Sequence, residues 1–195
     1  VVAGLVAQYS ALNPGSIVRS GSDVTQWRNI ATFGKTLGPN GAAPQYVASA
    51  INGLPAVTFA GGGGLVTGNF ALNSEVTVFA VTRYGTPDAW GALAHHGDRD
   101  NDWSFENNGA FGASWVHFQS NNDNNPPVQV SLTPATNYVL AGRVTGAVRD
   151  ITASSSSGTT SGSGGNGVTI VPGSKALYVG RSDNNEGWQA PVGEL

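Results

Sequence analysis

Apolar and polar residues alternate over short stretches of this chain, and Gly, Asn and Pro separate those stretches roughly every eight to twelve residues. The run Glu75 to Tyr84, EVTVFAVTRY, sets Val76, Val78 and Ala80 on one side and Thr77, Phe79 and Val81 on the other. Both sides look covered, which predicts a central strand. Comparable runs at 5–9, 56–59, 103–106, 114–119, 128–132, 138–144, 148–153, 168–171 and 176–181 predict further strands. No segment of about a dozen residues repeats its apolar positions at helical spacing, and the strong helix formers Glu and Lys are scarce. The pattern predicts an all-β fold, an antiparallel two-sheet sandwich.

Two segments break the alternation. Residues 154–167, SSSSGTTSGSGGNG, have the composition of a flexible linker. Only 28 residues follow them, too few for another domain, and strand-like runs lie on both sides, so a hairpin or crossover loop within one sheet is expected. Residues 61–64, GGGG, predict a tight turn with positive φ; no Lys or Ser/Thr stands at the spacing of a phosphate-binding loop.

The chain has 195 residues, enough for a single domain spanning 1–195. Its 9 Lys and Arg against 12 Asp and Glu leave a net charge of −3 with no basic cluster, which argues against nucleic acid as a partner. Charged residues make up only 11%, with 28 Gly and abundant Asn, Ser and Thr in their place, the surface chemistry of many extracellular β-proteins. Cys is absent, which removes disulfides, thiol nucleophiles and Cys-ligated metals from consideration. Met is absent even at position 1, so the chain reads as a processed product, for instance after removal of a signal peptide, or as an excised piece of a longer one. No run reaches the ~18 apolar residues of a membrane-spanning helix.

The landmarks GLVAQYSA (4–11), VTQWRNIA (24–31), PQYVASAINGLPAVTFAGGGGL (44–65), EVTVFAVTRYG (75–85), NYVLAGRVTG (137–146) and ALYVGRSDNNEGWQAPVGEL (176–195) resemble, in order and over nearly the whole chain, the LamG-type branch of the concanavalin A-like lectin/glucanase jelly rolls. Asn52, Gly53, Pro55, Ala56, Val57 and Phe59 match a stretch characteristic of that family. The resemblance implies a jelly roll in which Trp27, Phe59 and Phe79 are core residues. It also implies that Gly193, Glu194 and Leu195 begin a last core strand, leaving the domain without the rest of that strand. It does not choose among sugar-binding modules, adhesion domains, accessory domains and hydrolases.

Several constellations bear on that choice. Trp115, His117 and Gln119 alternate with Val116 and Phe118, so an aromatic ring, an imidazole and an amide share the face opposite the apolar pair. Such a strip suits a sugar, whose ring face stacks on an aromatic and whose hydroxyls take the polar groups. A partly covered outer face is the competing reading. His95, Asn121, Asn122, Asp123 and Trp188 lie in neighbouring loop-like stretches and complete the candidate binding set. Asp98, Asp100 and Asp102 alternate in DRDND, a spacing that can converge on calcium, although Trp103 and Gly109 stand where an EF-hand needs Gly and Glu. His95 and His96 are adjacent and point to opposite faces in a strand, so a zinc site with His117 and an aspartate could use only one of them. Asp102, Ser104 and Glu106 would share a face, yet the two carboxylates would lie about 13 Å apart, too far for a glycosidase pair.

These readings converge on a non-catalytic carbohydrate-binding module of a secreted or cell-surface protein, with a glycan or polysaccharide as partner and calcium as an optional cofactor. A structural, assembly or adhesion subunit whose open sheet is completed by another chain, or by a larger host polypeptide, is the alternative. A polysaccharide hydrolase or lyase is the weaker one.

Overall fold

The computed structural model describes residues 4–31, 34–85, 90–97, 102–107, 115–120, 128–165, 170, 173–182 and 185–195; of 115, 117, 119 and 120 it describes the backbone alone. In chain order the strands are β1 (Ile17–Ser20), β2 (Asp23–Trp27), β3 (Gly38–Gly41), β4 (Gln45–Ile51), β5 (Leu54–Thr58), β6 (Gly63–Val66), β7 (Phe70–Leu72), β8 (Val76–Arg83) and β9 (Ala92–His96). They continue with β10 (Trp103–Asn107), β11 (Trp115–Ser120), β12 (Val128–Ser131), β13 (Asn137–Thr145), β14 (Val148–Ser155), β15 (Gly158–Gly165), β16 (Gly173–Lys175), β17 (Leu177–Val179) and β18 (Pro191–Glu194). No helix occurs among the described residues, so none is long and apolar enough to cross a membrane.

The strands form a nine-stranded sheet, β1-β2-β4-β5-β18-β8-β13-β14-β15, a seven-stranded sheet, β12-β11-β10-β9-β17-β6-β3, and a small β7-β16 pair. The result is an antiparallel β-sandwich of jelly-roll type. Between the sheets lies the core. Val78 and Ala80 of β8, Leu140 and Val144 of β13, and Ile151 and Ala153 of β14 meet Phe105 of β10 and Val116 and Phe118 of β11. Gly142 of β13 makes room for this contact: a Cβ there would sit 2.4 Å from the Phe118 ring. Two edge-on aromatic pairs, Tyr9 with Trp27 (5.9 Å) and Tyr84 with Trp188 (5.7 Å), extend the core past the strands. Burial raises the pKa of both tyrosine hydroxyls. Each donates a hydrogen bond, Tyr84 to Asn107 Oδ1 (2.8 Å) and Tyr9 to the Lys35 carbonyl.

Residues 154–165 lie within one sheet as the expected hairpin, whose turn at 156–157 leads into an edge strand, β15 (158–165), that pairs along its length with β14. Several expectations are corrected here. In the 61–64 run only Gly61 has positive φ (+84°); Gly63 and Gly64 are already in β6, where a Cβ on Gly63 would come within 1.8 Å of the Ala42 carbonyl oxygen. Residues 5–9 form no strand, although the Gln8 carbonyl accepts a hydrogen bond from the Ile30 N–H and the Tyr9 backbone exchanges two with Leu195. Phe79 is not a core residue. It is 61% exposed on the outer face of β8. Of the run 168–171, all but Ile170 lies outside the described residues.

Candidate functional site

The alternation of β9, β10 and β17 gives the seven-stranded sheet a second face, turned away from the core. On β10, Trp103 and Phe105 face inward against Phe118, which leaves Ser104 and Glu106 on the outer face. Ser104 lies opposite His95 of β9, and His95 lies opposite Tyr178 of β17. On the other flank of β10, Gln119 is the register partner of Ser104 and His117 that of Glu106; His117 in turn is opposite Gln129 of β12. The topology thus places His95, Ser104, Glu106, Tyr178 and Gln129 in one row with positions 117 and 119. Sequence reading singled out only part of this row. Tyr178 and Gln129 escaped it because each stands in a short strand whose neighbours carry the apolar pattern.

Within the row His95, Ser104 and Glu106 are buried, while Tyr178 and Gln129 are half-buried. The His95 ring stacks on Tyr178 with centroids 4.5 Å apart and planes 5° apart. Burying a hydroxyl without a partner costs free energy. The Ser104 hydroxyl has no hydrogen-bond partner among the described residues.

His96, one residue on, points the other way, as adjacent strand positions must. Its Nδ1 is 2.9 Å from Asp102 Oδ2, and its Nε2 donates to the Phe70 carbonyl at 3.2 Å. Lys175 Nζ stands 3.8 Å from the same Asp102 oxygen. The turn beneath them needs Gly97, whose φ is +72° and whose Cβ would lie 2.3 Å from Lys175 Cδ. Asp102 precedes β10 and turns toward His96 on the core side. It therefore does not share a face with Ser104 and Glu106, which corrects that expectation.

The other candidates fall as follows. Trp188, expected on an exposed loop, is fully buried against Tyr84, with its backbone N–H bonded to the Gly180 carbonyl (2.9 Å); that expectation is corrected. His95 is fully buried as well, so it supports Tyr178 and does not meet solvent. Trp115 pairs in register with Ser131. Asn121, Asn122 and Asp123 lie outside the described residues, as do Asp98 and Asp100. Asp102 is buried with one oxygen committed to His96, while its Oδ1 has no hydrogen-bond partner among the described residues. No group of three or more metal-ligating side chains gathers among the described residues.

No protein-family model matches the chain, and no curated protein matches it in sequence. Solved structures do match in fold. Domain 4 of AbnA, an extracellular GH43 arabinanase from Geobacillus stearothermophilus solved with arabinotriose, superposes with a TM-score of 0.69 at 13% identity, over 97% of this chain and 89% of that one. The sialidase of Trypanosoma rangeli, solved with 2,3-difluorosialic acid, gives 0.61 at 16% identity over 100% of this chain. Tailspike protein 2 of bacteriophage CBA120 gives 0.60 at 12% identity over 84% of it. The chain spans 30% of the sialidase and 28% of the tailspike chain. At these identities the likeness shows the fold, a β-sandwich shared with domains of carbohydrate-active proteins.

Proposed function

We propose that this chain is a single LamG-like, non-catalytic carbohydrate-binding module of a secreted or cell-surface protein, and that it binds its glycan on the outer face of the seven-stranded sheet. The observation that carries the reading is the row of polar and aromatic groups built on His95, Ser104, Glu106 and Tyr178, with positions 117 and 119 beside it. Outer sheet faces that serve only as surface carry exposed, charged residues, whereas His95, Ser104 and Glu106 are buried here at the cost of their hydration. A half-buried Tyr178 held flat by His95 offers a ring face to a pyranose or furanose. Trp115, His117, Gln119 and residues 121–123 supply the remaining stacking and hydroxyl contacts in this reading.

That solved structures of the same fold include a domain bound to arabinotriose and a sialidase bound to a sialic acid analogue supports a glycan as partner. Catalysis has less support: Asp102 is engaged with His96, away from Glu106, and the two carboxylates do not form a pair across one site. Calcium held by Asp98, Asp100 and Asp102 stays within the proposal, with Asp102 Oδ1 the described atom that would contribute to it. The test is affinity electrophoresis against soluble polysaccharides, arabinan and sialylated glycans included, with calcium and with chelator. Retardation by one glycan is the expected result. Migration unchanged by every glycan contradicts the reading.

A further inference from the structure

The row on the seven-stranded sheet is charged in only one sense. From Tyr178 on β17 to Gln129 on β12 it crosses β9, β10 and β11, five strands in all, or about 19 Å at the usual strand spacing. Glu106 stands on β10, the middle strand of the five, so every sugar of a chain laid along the row comes within about 10 Å of its carboxylate. That distance is about one Debye length at 0.1 M salt, and a carboxylate 1% exposed is screened less than one in open water.

No Lys or Arg stands in any of the seven strands of this sheet to offset it. Arg181, two residues past β17, donates to the Asn40 and Gly62 carbonyls and to Asn185 Oδ1, which commits it to the β3 and β6 side of the sheet. Lys175, two residues before β17, stands 3.8 Å from Asp102. Arg149 is buried too, on β14 of the other sheet, and Arg99 lies outside the described residues. Two unit charges about 10 Å apart, at an effective dielectric of about 20, change an affinity by about tenfold.

We propose that this face binds neutral glycans and rejects those that carry carboxylates, uronates and sialylated chains alike, with Glu106 as the residue that sets the selection. The inference rests on the glycan-binding reading above and adds the class of ligand. The ring of Tyr178 and the amide of Gln129 serve the apolar face and the hydroxyls of either kind of sugar, so the discrimination comes from the repulsive element and not from the attractive ones.

The experiment titrates the whole chain calorimetrically with arabinan, galactan and mixed-linkage glucan, each in a hydroxyethylated and a carboxymethylated form, at pH 8, above the ordinary imidazole pKa of about 6.5. The two substituents are alike in size and differ in charge. For whichever backbone binds, the hydroxyethylated form should bind about tenfold more tightly. Glu106→Gln should bring the two forms to equal affinity, and Gln129→Lys, at a half-buried position on the edge strand β12, should reverse the preference. Each comparison is a ratio within one folded protein, so binding lost equally for both forms does not enter it, and Gln129→Lys decides the matter if Glu106→Gln does not fold. Equal affinity of the parent for the two forms overturns the proposal and leaves the glycan reading standing. A preference that survives Glu106→Gln also overturns it, since the net charge of −3 and not this residue would then be its source. Binding of neither form of any backbone overturns both.

Discussion

The imidazole of His95 lies flat on the ring of Tyr178, the centroids 4.5 Å apart, although the two residues belong to different strands 83 positions apart in sequence. Stacked aromatic pairs couple by about 0.5–1.5 kcal/mol beyond the area they bury. A double-mutant cycle with His95→Ala and Tyr178→Ala, read by urea denaturation, should return a coupling in that range. Tyr178→Phe should keep it, because the ring and not the hydroxyl makes the contact.

Asp102 and His96 form a buried pair that ties the start of β10 to the end of β9 and, through the Phe70 carbonyl, to β7. Removing Asp102 leaves the buried His96 Nδ1 without its hydrogen-bond partner, at a cost of about 1–3 kcal/mol. Asp102→Ala should therefore lower stability by that order in equilibrium denaturation. If calcium is also held by Asp98, Asp100 and Asp102, chelator should lower the Tm of the unaltered protein and leave that of Asp102→Ala unmoved.

At the edge of the nine-stranded sheet, Asp150 accepts hydrogen bonds from Ser163 of β15 (2.6 Å) and from Arg143 of β13 (2.9 Å). The Ser163 hydroxyl first, and the Arg143 guanidinium second, hold its carboxyl below the ordinary range. A depressed carboxylate stabilises the fold above its unfolded pKa of about 3.9, and that contribution disappears as pH falls through the lower folded value. Asp150→Asn should lower the Tm slightly near pH 7, since the group is partly exposed and solvent screens it. The gap between variant and parent should close below about pH 4.

Gly142 and Phe118 come from opposite sheets and meet where a side chain on Gly142 would overlap the phenyl ring. Gly142→Ala should cost about 1–3 kcal/mol by overpacking. Adding Phe118→Leu should recover part of that loss, a non-additivity that two independent sites would not show.

The alternation that marks β8, β10, β13 and β14 was legible because those strands bury at least one whole face, so apolar residues recur at every second position. β15 was not, since an edge strand built of Gly, Ser and Thr has no apolar pattern to betray it; only the flanking strands placed it in the sheet. Phe79 misled for the opposite reason: its alternation fits a strand covered on both faces, and whether a neighbour covers it depends on pairing, which local pattern does not encode. The candidate site was half visible. His117 and Gln119 stood out by their spacing, whereas Tyr178 joins them only through the order of β9 and β17 in the sheet. Trp188 lies outside any regular strand, where no period distinguishes a buried ring from an exposed one.

The central claim is that glycan binds the outer face of the seven-stranded sheet, and one comparison tests it most directly. Affinity electrophoresis of the parent against its retarding glycan would be run beside a Trp115→Ala, His117→Ala double variant and a Tyr178→Ala variant, with the Tm of each measured in parallel. Loss of retardation in both variants, with each still cooperatively folded, is the expected result. Retardation unchanged in folded variants would place the binding surface elsewhere and contradict the assignment of this face.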